Sequence, residues 1–353
     1  MYQYNFAFEF VRSIHAGWNL GNTFDCLVDN DKWKENMTPA DFETAWGNIP
    51  VNRGQLEAIR DAGFDALRIP ITWKQHIGPA PDYRIEKSWM DRIHEVVWQA
   101  FSLGFRVIIN VHHDASDSGD ISLLPERLDE SERLLCRLWE QLAEHFADLG
   151  ESLVFEVLNE PHIGNDFTGE PQYFEAVNRL NAAAVRTIRA AGGCNSFRYL
   201  MLPTYAATYK SAALEALTLP DDDRLIVSVH PYFPTDFCFP SREIHWGTQQ
   251  MTWGSKADID NLQHIFHQLE KRFIAHGIPV ILGEMAAVGK ADSRSRMLWT
   301  AIYAKEAAAR CMPCFWWDNG SVGEDEMGLF DRNTLTFPEP ELVSILTGKR
   351  IGN

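Results

Sequence analysis

Basic residues are in short supply: 32 lysines and arginines stand against 49 aspartates and glutamates in 353 residues, a net charge of −17. Such a surface repels nucleic-acid phosphates and anionic lipid, and leaves a neutral polymer unpenalised. No apolar run approaches the ~20 residues a membrane helix needs, so neither nucleic acid nor a membrane is an expected partner. The six cysteines (Cys26, Cys136, Cys194, Cys238, Cys311, Cys314) follow no regular spacing. Cys311 and Cys314 have redox or zinc spacing, but no second pair accompanies them, so free thiols are expected. No glycine-rich phosphate turn follows the first strand-like segment, which argues against an open, doubly wound nucleotide-binding sheet. Internal repeats and low-complexity tracts are absent too, so nothing marks a second domain. Residues 1–12 lack the basic and apolar regions of a secretory signal, and Glu9 interrupts their apolar patch. The expectation is an extracellular protein whose leader is absent from this chain, with a cytoplasmic location as the alternative.

Apolar residues are plentiful. At 45% hydrophobic the chain can fill a large core, which excludes disorder. Twelve tryptophans, nine tyrosines and 21 phenylalanines supply flat faces on which the C–H faces of sugar rings stack. Strand-like segments at 14–20, 64–70, 105–111, 153–159, 197–203, 225–230, 280–284 and 314–317 alternate with helix-like ones. Thr38-Pro39 starts one helix, with threonine as cap and proline at the first helical position. Others run over 51–62, from Ser88 through Ala100, and over 131–149, 172–191, 212–217, 259–276 and 293–310; several end at glycine. Segment 105–111 is almost continuously apolar, as a parallel sheet covered on both faces requires. Eight such alternations predict one (β/α)8 TIM barrel occupying residues 1–353. The segment 232–256 has little regular pattern and reads as a functional loop.

Polar residues gather at the C-terminal ends of these segments, where a (β/α) barrel builds its sites. They are Asn19 and Asn22; Arg68; His112, His113 and Asp114; Asn159 and Glu160; His230 and Tyr232; Glu284; and Trp316, Trp317, Asp318 and Asn319. Two carboxylates so placed are the minimum equipment for glycosidic bond hydrolysis. A retaining mechanism needs them ~5–5.5 Å apart, one as nucleophile and one as general acid, then base. The nucleophile must stay ionised, for which Arg68 and the Tyr232 hydroxyl are candidate donors. The acid must keep a proton near neutral pH. Which glutamate plays which part stays open at this point. Glu156 alternates with Glu160 at even spacing, so either can be an ion-pair partner inside the barrel. His112 and His113, as strand neighbours, face opposite sides and should not share one metal ion, so no metal and no cofactor are expected.

The blocks GWNLGNTFD (17–25), ALRIPITW (66–73), VIINVHHD (107–114), VFEVLNEP (154–161), VSVHPYF (227–233), ILGE (281–284) and CFWWDNG (314–320) resemble glycoside hydrolase family 5. They resemble most its subfamily 4, the endo-β-1,4-glucanases with xyloglucan- and mixed-linkage-active members, from about residue 14 to Arg332. The resemblance implies Glu160 as acid/base and Glu284 as nucleophile. It implies that Asn159 binds the sugar 2-hydroxyl and that Arg68 and Tyr232 hold Glu284. His230 should lie near Glu160, and His112 and His113 should line the subsite at the scissile bond with Asn22 beside them. Trp316 resembles the sugar-stacking tryptophan, and Trp317, facing the other way, ranks second. One departure stands out: Gly283-Glu284-Met285-Ala286 replaces the usual Gly-Glu-Phe-Gly. The implied partner is a β-glucan polysaccharide or oligosaccharide and the implied state a monomer. Xyloglucan, lichenan, glucomannan or xylan are alternative substrates, with Trp33, Trp46, Trp73, Trp246 and Trp253 as further stacking candidates. A metal-dependent barrel hydrolase and a non-catalytic glycan-binding barrel are the rival classes.

Overall fold

A computed structural model describes residues 5–116, 119–290 and 293–351; the first four residues of the segment read for a secretory signal lie outside them. Eight strands form the frame: β1 (Gly17–Leu20), β2 (Ala66–Ile69), β3 (Arg106–Asn110), β4 (Leu153–Glu156), β5 (Leu200–Pro203), β6 (Leu225–Val229), β7 (Val280–Met285) and β8 (Cys314–Asp318). Each pairs in parallel with the next, and β8 closes onto β1. This is the expected (β/α)8 barrel. Its strands are shorter than the apolar runs suggested, because residues such as Asn159 and His230 already belong to the loops that follow.

The helices between strands bury one apolar stripe each. Leu134, Leu135, Leu138, Trp139 and Leu142 of Leu128–His145 recur at helical spacing and are all buried. Asn52 caps Arg53–Asp61 by accepting the Gln55 N–H, and Thr38 starts Pro39–Glu43. The loop after β6 contains one short helix, Thr235–Cys238, and a 3-10 turn, Ser241–Glu243. Among the described residues, no helix is long and apolar enough to cross a membrane.

The lumen has two layers, because side chains alternate across each strand. The lower layer is apolar: Ala66, Ile108, Val154, Met201, Ile226, Ile281 and Phe315 form a cluster of their own. Ala7 and Val11 of the helix Ala7–Arg12, with Ile14, cover it from the N-terminal side. Gly17 belongs to this layer by necessity: a Cβ there would lie 2.3 Å from the Phe315 ring. Two residues further along the strands the lumen turns polar, with Asn19, Arg68, Asn110, Glu156 and Ser228 all buried. Polarity this deep is tolerated only where every group finds a partner.

Candidate active site

Arg68 organises the polar layer. Its Nε donates to Glu156 Oε2 at 2.7 Å, and its Nη1 donates to Glu284 Oε1 at 2.7 Å and Asn19 Oδ1 at 2.9 Å. Its Nη2 donates to Asn159 Oδ1 at 2.7 Å, so the Asn159 amide hydrogens stay available to a ligand. Glu156 also receives Asn110 Nδ2 at 2.9 Å and Ser228 Oγ at 2.7 Å. Burial alone would raise its pKa, but the charges and hydrogen bonds of Arg68 and His230 bring it down to about 2. Glu156 is therefore the ion-pair partner of the two candidates, and Glu160, four residues on, is left for the cleft.

Glu284 reaches the cleft through an irregularity. Leu282 pairs with Cys314 and Met285 with Trp316, so β7 carries one extra residue between them. Such a bulge re-aims a side chain, here Glu284, while Met285 goes to the outer core. Tyr232 Oη donates to Glu284 Oε2 at 2.9 Å. Gly283 makes room for the neighbouring histidine, since a Cβ there would stand 2.7 Å from His230 Nε2.

His230 joins the two halves of the site. Its Nδ1 lies 2.6 Å from Glu160 Oε1 and 3.7 Å from Glu284 Oε1. Ser228 gives its only hydrogen to Glu156, so it accepts from His230 Nε2 at 3.3 Å and fixes that nitrogen as a donor. One proton is then shared between Nδ1 and Glu160. Burial disfavours the imidazolium, but the charges of Glu284, Glu156 and Glu160 raise the His230 pKa to about 9. Burial likewise works against the Glu160 carboxylate, yet the His230 hydrogen bond and charge hold it below the usual range. Glu284 is raised, by burial and the Glu160 charge together, against the pull of His230 and Arg68. This order is the reverse of what an acid/base at Glu160 requires at the moment of reaction. The proton stored on His230, 2.6 Å away, removes the conflict.

The remaining expected residues fall around this core, with three corrections. Trp316 is fully buried and faces outward: it lies 6.5 Å from Trp299, and its Nε1 donates to Met327 O at 3.0 Å. Trp317 is the cleft tryptophan instead, parallel to His112 at 5.8 Å. The register explains the exchange, since Phe315 fills the lumen and Trp317 comes two residues later. Trp73 and Trp253 are buried as well, whereas Trp33, Trp46 and Trp246 stand exposed. Finally, His112 and His113 do not face opposite sides. The chain has left β3 there, and a ψ of −89° at His112 swings both rings over the barrel mouth. Their nitrogens and an Asp25 oxygen fall within 4.8 Å of one another. Asn22, in a left-handed turn, donates its backbone N–H to Asp25 and so sits beside them. Asn110 and Ser228 were not anticipated. The signal available was a polar residue two places before each histidine, inside an otherwise apolar strand.

A cleft of about 580 Å³ opens beside Glu160, walled by Phe167, Tyr209, Tyr232, Phe239 and Trp246. A larger hollow of about 870 Å³ near Pro338–Leu342 lies against the C-terminal helix, away from the strand ends.

The chain is similar to known proteins over most of its length. Residues 30–323 match the family model described as cellulase (glycosyl hydrolase family 5). The cellulase/esterase CelE of Acetivibrio thermocellus is 39% identical over 350 residues, covering 96% of this chain; the chain spans only 40% of the length of that relative. A GH5-4 broad specificity endoglucanase from Clostridium acetobutylicum superposes with a TM-score of 0.87 at 34% identity, covering 97% of this chain and 99% of that one. A family 5 lichenase from Caldicellulosiruptor sp. F32, solved as a mutant in complex with cellotetraose, gives a TM-score of 0.90 at 32% identity, covering 99% and 97%. The chain belongs to glycoside hydrolase family 5, the cellulase family, and is most like its subfamily 4 endoglucanases.

Proposed function

We propose that the cleft hydrolyses internal β-1,4-glucosidic bonds of a cellulose-type β-glucan by double displacement, with Glu284 as nucleophile and Glu160 as acid/base. The observation that carries this reading is the spacing. Oxygens of Glu160 and Glu284 lie within 4.8 Å of each other, close to the ~5–5.5 Å of retaining enzymes and short of the ~6.5–9.5 Å that admits a water in inverting ones. Their different partners support the division of roles. Glu284 is held by two donors, Arg68 and Tyr232, which orient its attacking oxygens, and the Arg68 charge opposes the rise in its pKa that burial causes. Glu160 faces the stored proton on His230.

In the first step a Glu284 oxygen bonds to the anomeric carbon as the bond from that carbon to the leaving oxygen breaks. Glu160, having taken the His230 proton, passes it to the leaving oxygen. Water then attacks the anomeric carbon and gives a proton back to Glu160, and the ester to Glu284 breaks. The free Asn159 amide donates to the 2-hydroxyl, a contact that strengthens as charge develops. Trp317 offers its face to the sugar next to His112. The structural neighbours include a broad specificity endoglucanase and a lichenase, so a mixed-linkage glucan belongs in the same proposal. Proton NMR of the first products from a cello-oligosaccharide should show the β anomer before mutarotation. An initial α anomer would sink the double-displacement reading.

The shared proton sets the alkaline limit. The His230 pKa is raised in the fold, so its charge is fully present below about 6.5 and is lost as pH rises through about 9. The kcat/KM profile should therefore fall on its alkaline side near that value. In His230→Asn the limb should move down by roughly a unit or more, because buried Glu160 then holds its proton alone. A limb left in place by His230→Asn would remove His230 from the proton store.

A further inference from the structure

Asn110 is fully buried two residues before His112, and its hydrogen bonds allow one orientation. Its Oδ1 accepts the Ile71 N–H at 3.0 Å, so its Nδ2 faces Glu156 Oε2 at 2.9 Å and His112 Nδ1 at 3.0 Å. An amide nitrogen has two hydrogens and accepts none. One hydrogen goes to the Glu156 carboxylate; the other points at Nδ1. That nitrogen must accept, so the single proton of a neutral His112 ring sits on Nε2. Among the described residues Nε2 has no protein hydrogen-bond partner, and it is not one of the fully enclosed polar atoms. The ring itself is held parallel to Trp317.

We propose that Asn110 is a positioning residue that locks His112 as an Nε2–H donor, so that the mouth of the barrel offers a hydrogen bond to a hydroxyl oxygen of the sugar lying against Trp317. The identity of that ligand rests on the glucanase reading; the tautomer does not. The same lock bears on the Asp25–His112–His113 group. A protonated Nε2 has no lone pair for a cation, so this trio, despite its close spacing, is built to meet a hydroxyl rather than a metal ion.

Long-range ¹H–¹⁵N spectra of protein labelled in histidine test this directly, with His112 assigned by the signals missing from His112→Gln. The expected result is a protonated Nε2 and an unprotonated Nδ1, unchanged between pH 6 and 8. In Asn110→Asp a carboxyl oxygen replaces the amide donor, so the proton should move to Nδ1. Cellotriose binding measured by calorimetry should then weaken roughly tenfold, the worth of one hydrogen bond at a buried site. Should Asn110→Asp not fold, Asn110→Ala removes the donor without adding charge and should give a mixture of tautomers. A protonated Nδ1 in the unsubstituted protein, or an unaltered Nε2–H in a folded Asn110 variant, would overturn the proposal. An inactive protein with the expected spectrum would count against the glucanase reading alone.

Discussion

Glu284→Ala should lower kcat on carboxymethyl cellulose by roughly 10⁴–10⁶-fold, the scale on which loss of a nucleophile is felt. The fold should survive. Arg68 keeps Glu156, Asn19 and Asn159 as partners, and the substitution removes one of three carboxylates crowded around two cations. A urea midpoint within a few tenths molar of the parent is the check on folding. Azide should then restore turnover of a substrate with an activated leaving group. It would occupy the space of the missing side chain, attack from the same face and yield the α-glycosyl azide. Activity within tenfold of the parent, or rescue giving the β-azide, would dismiss Glu284 as the nucleophile.

The largest effect on stability is expected from Arg68→Met. The substitution strands Glu156 in the lumen with two neutral donors, Asn110 and Ser228, and with His230, 3.8 Å away and shared with Glu160 and Glu284, as its remaining cationic neighbour among the described residues. Breaking a buried pair in this way costs about 3–5 kcal/mol. The pH dependence follows from the sign of the shift. The Glu156 pKa is depressed to about 2 in the parent, so its contribution is present above about 4.5 and lost as pH falls through 2. In the variant, burial without Arg68 raises that pKa, and Glu156 takes up a proton instead. The gap between parent and variant in urea denaturation should therefore be widest at pH 7 and narrow toward pH 5. Arg68→Lys should recover little, because a single ammonium cannot span four acceptors held in a plane. A loss below about 1 kcal/mol at pH 7 would mean that the lumen rehydrates around Glu156.

Much of this site was legible in the sequence, because a parallel barrel exposes the C-terminal ends of its strands and little else. Glu160, Glu284, His230 and Tyr232 stand out as polar residues ending apolar runs and Arg68 as one within such a run, and the structure brings them together. The failures share one cause. Which of two adjacent residues faces inward depends on register, and register is set by partners far away in the chain. Choosing Trp316 over Trp317 was a phase error. It was correctable in principle from Gly17, whose missing side chain leaves the space that Phe315 fills, which puts Trp317 in the same inward phase. Asn110 and Ser228 were absorbed into apolar strands, although each sits in phase with the histidine two places on. The bulge in β7 had one local hint, Gly283 inside the apolar strand Val280–Met285, which does not by itself say where an extra residue falls. The loop 232–256 stayed unreadable because its order comes from side-chain bonds such as Trp246 to Asp236 and Gln249 to Asp325, which follow no period.

The apolar lower half of the lumen has a consequence for how the enzyme meets its surroundings. Below the carboxylates, Ile108, Val154, Ile226, Ile281 and Phe315 form an apolar plug, so the described residues offer hydrogen ions no polar route through that end of the barrel. They enter and leave by the opposite mouth, where Glu160, His230 and Glu284 stand.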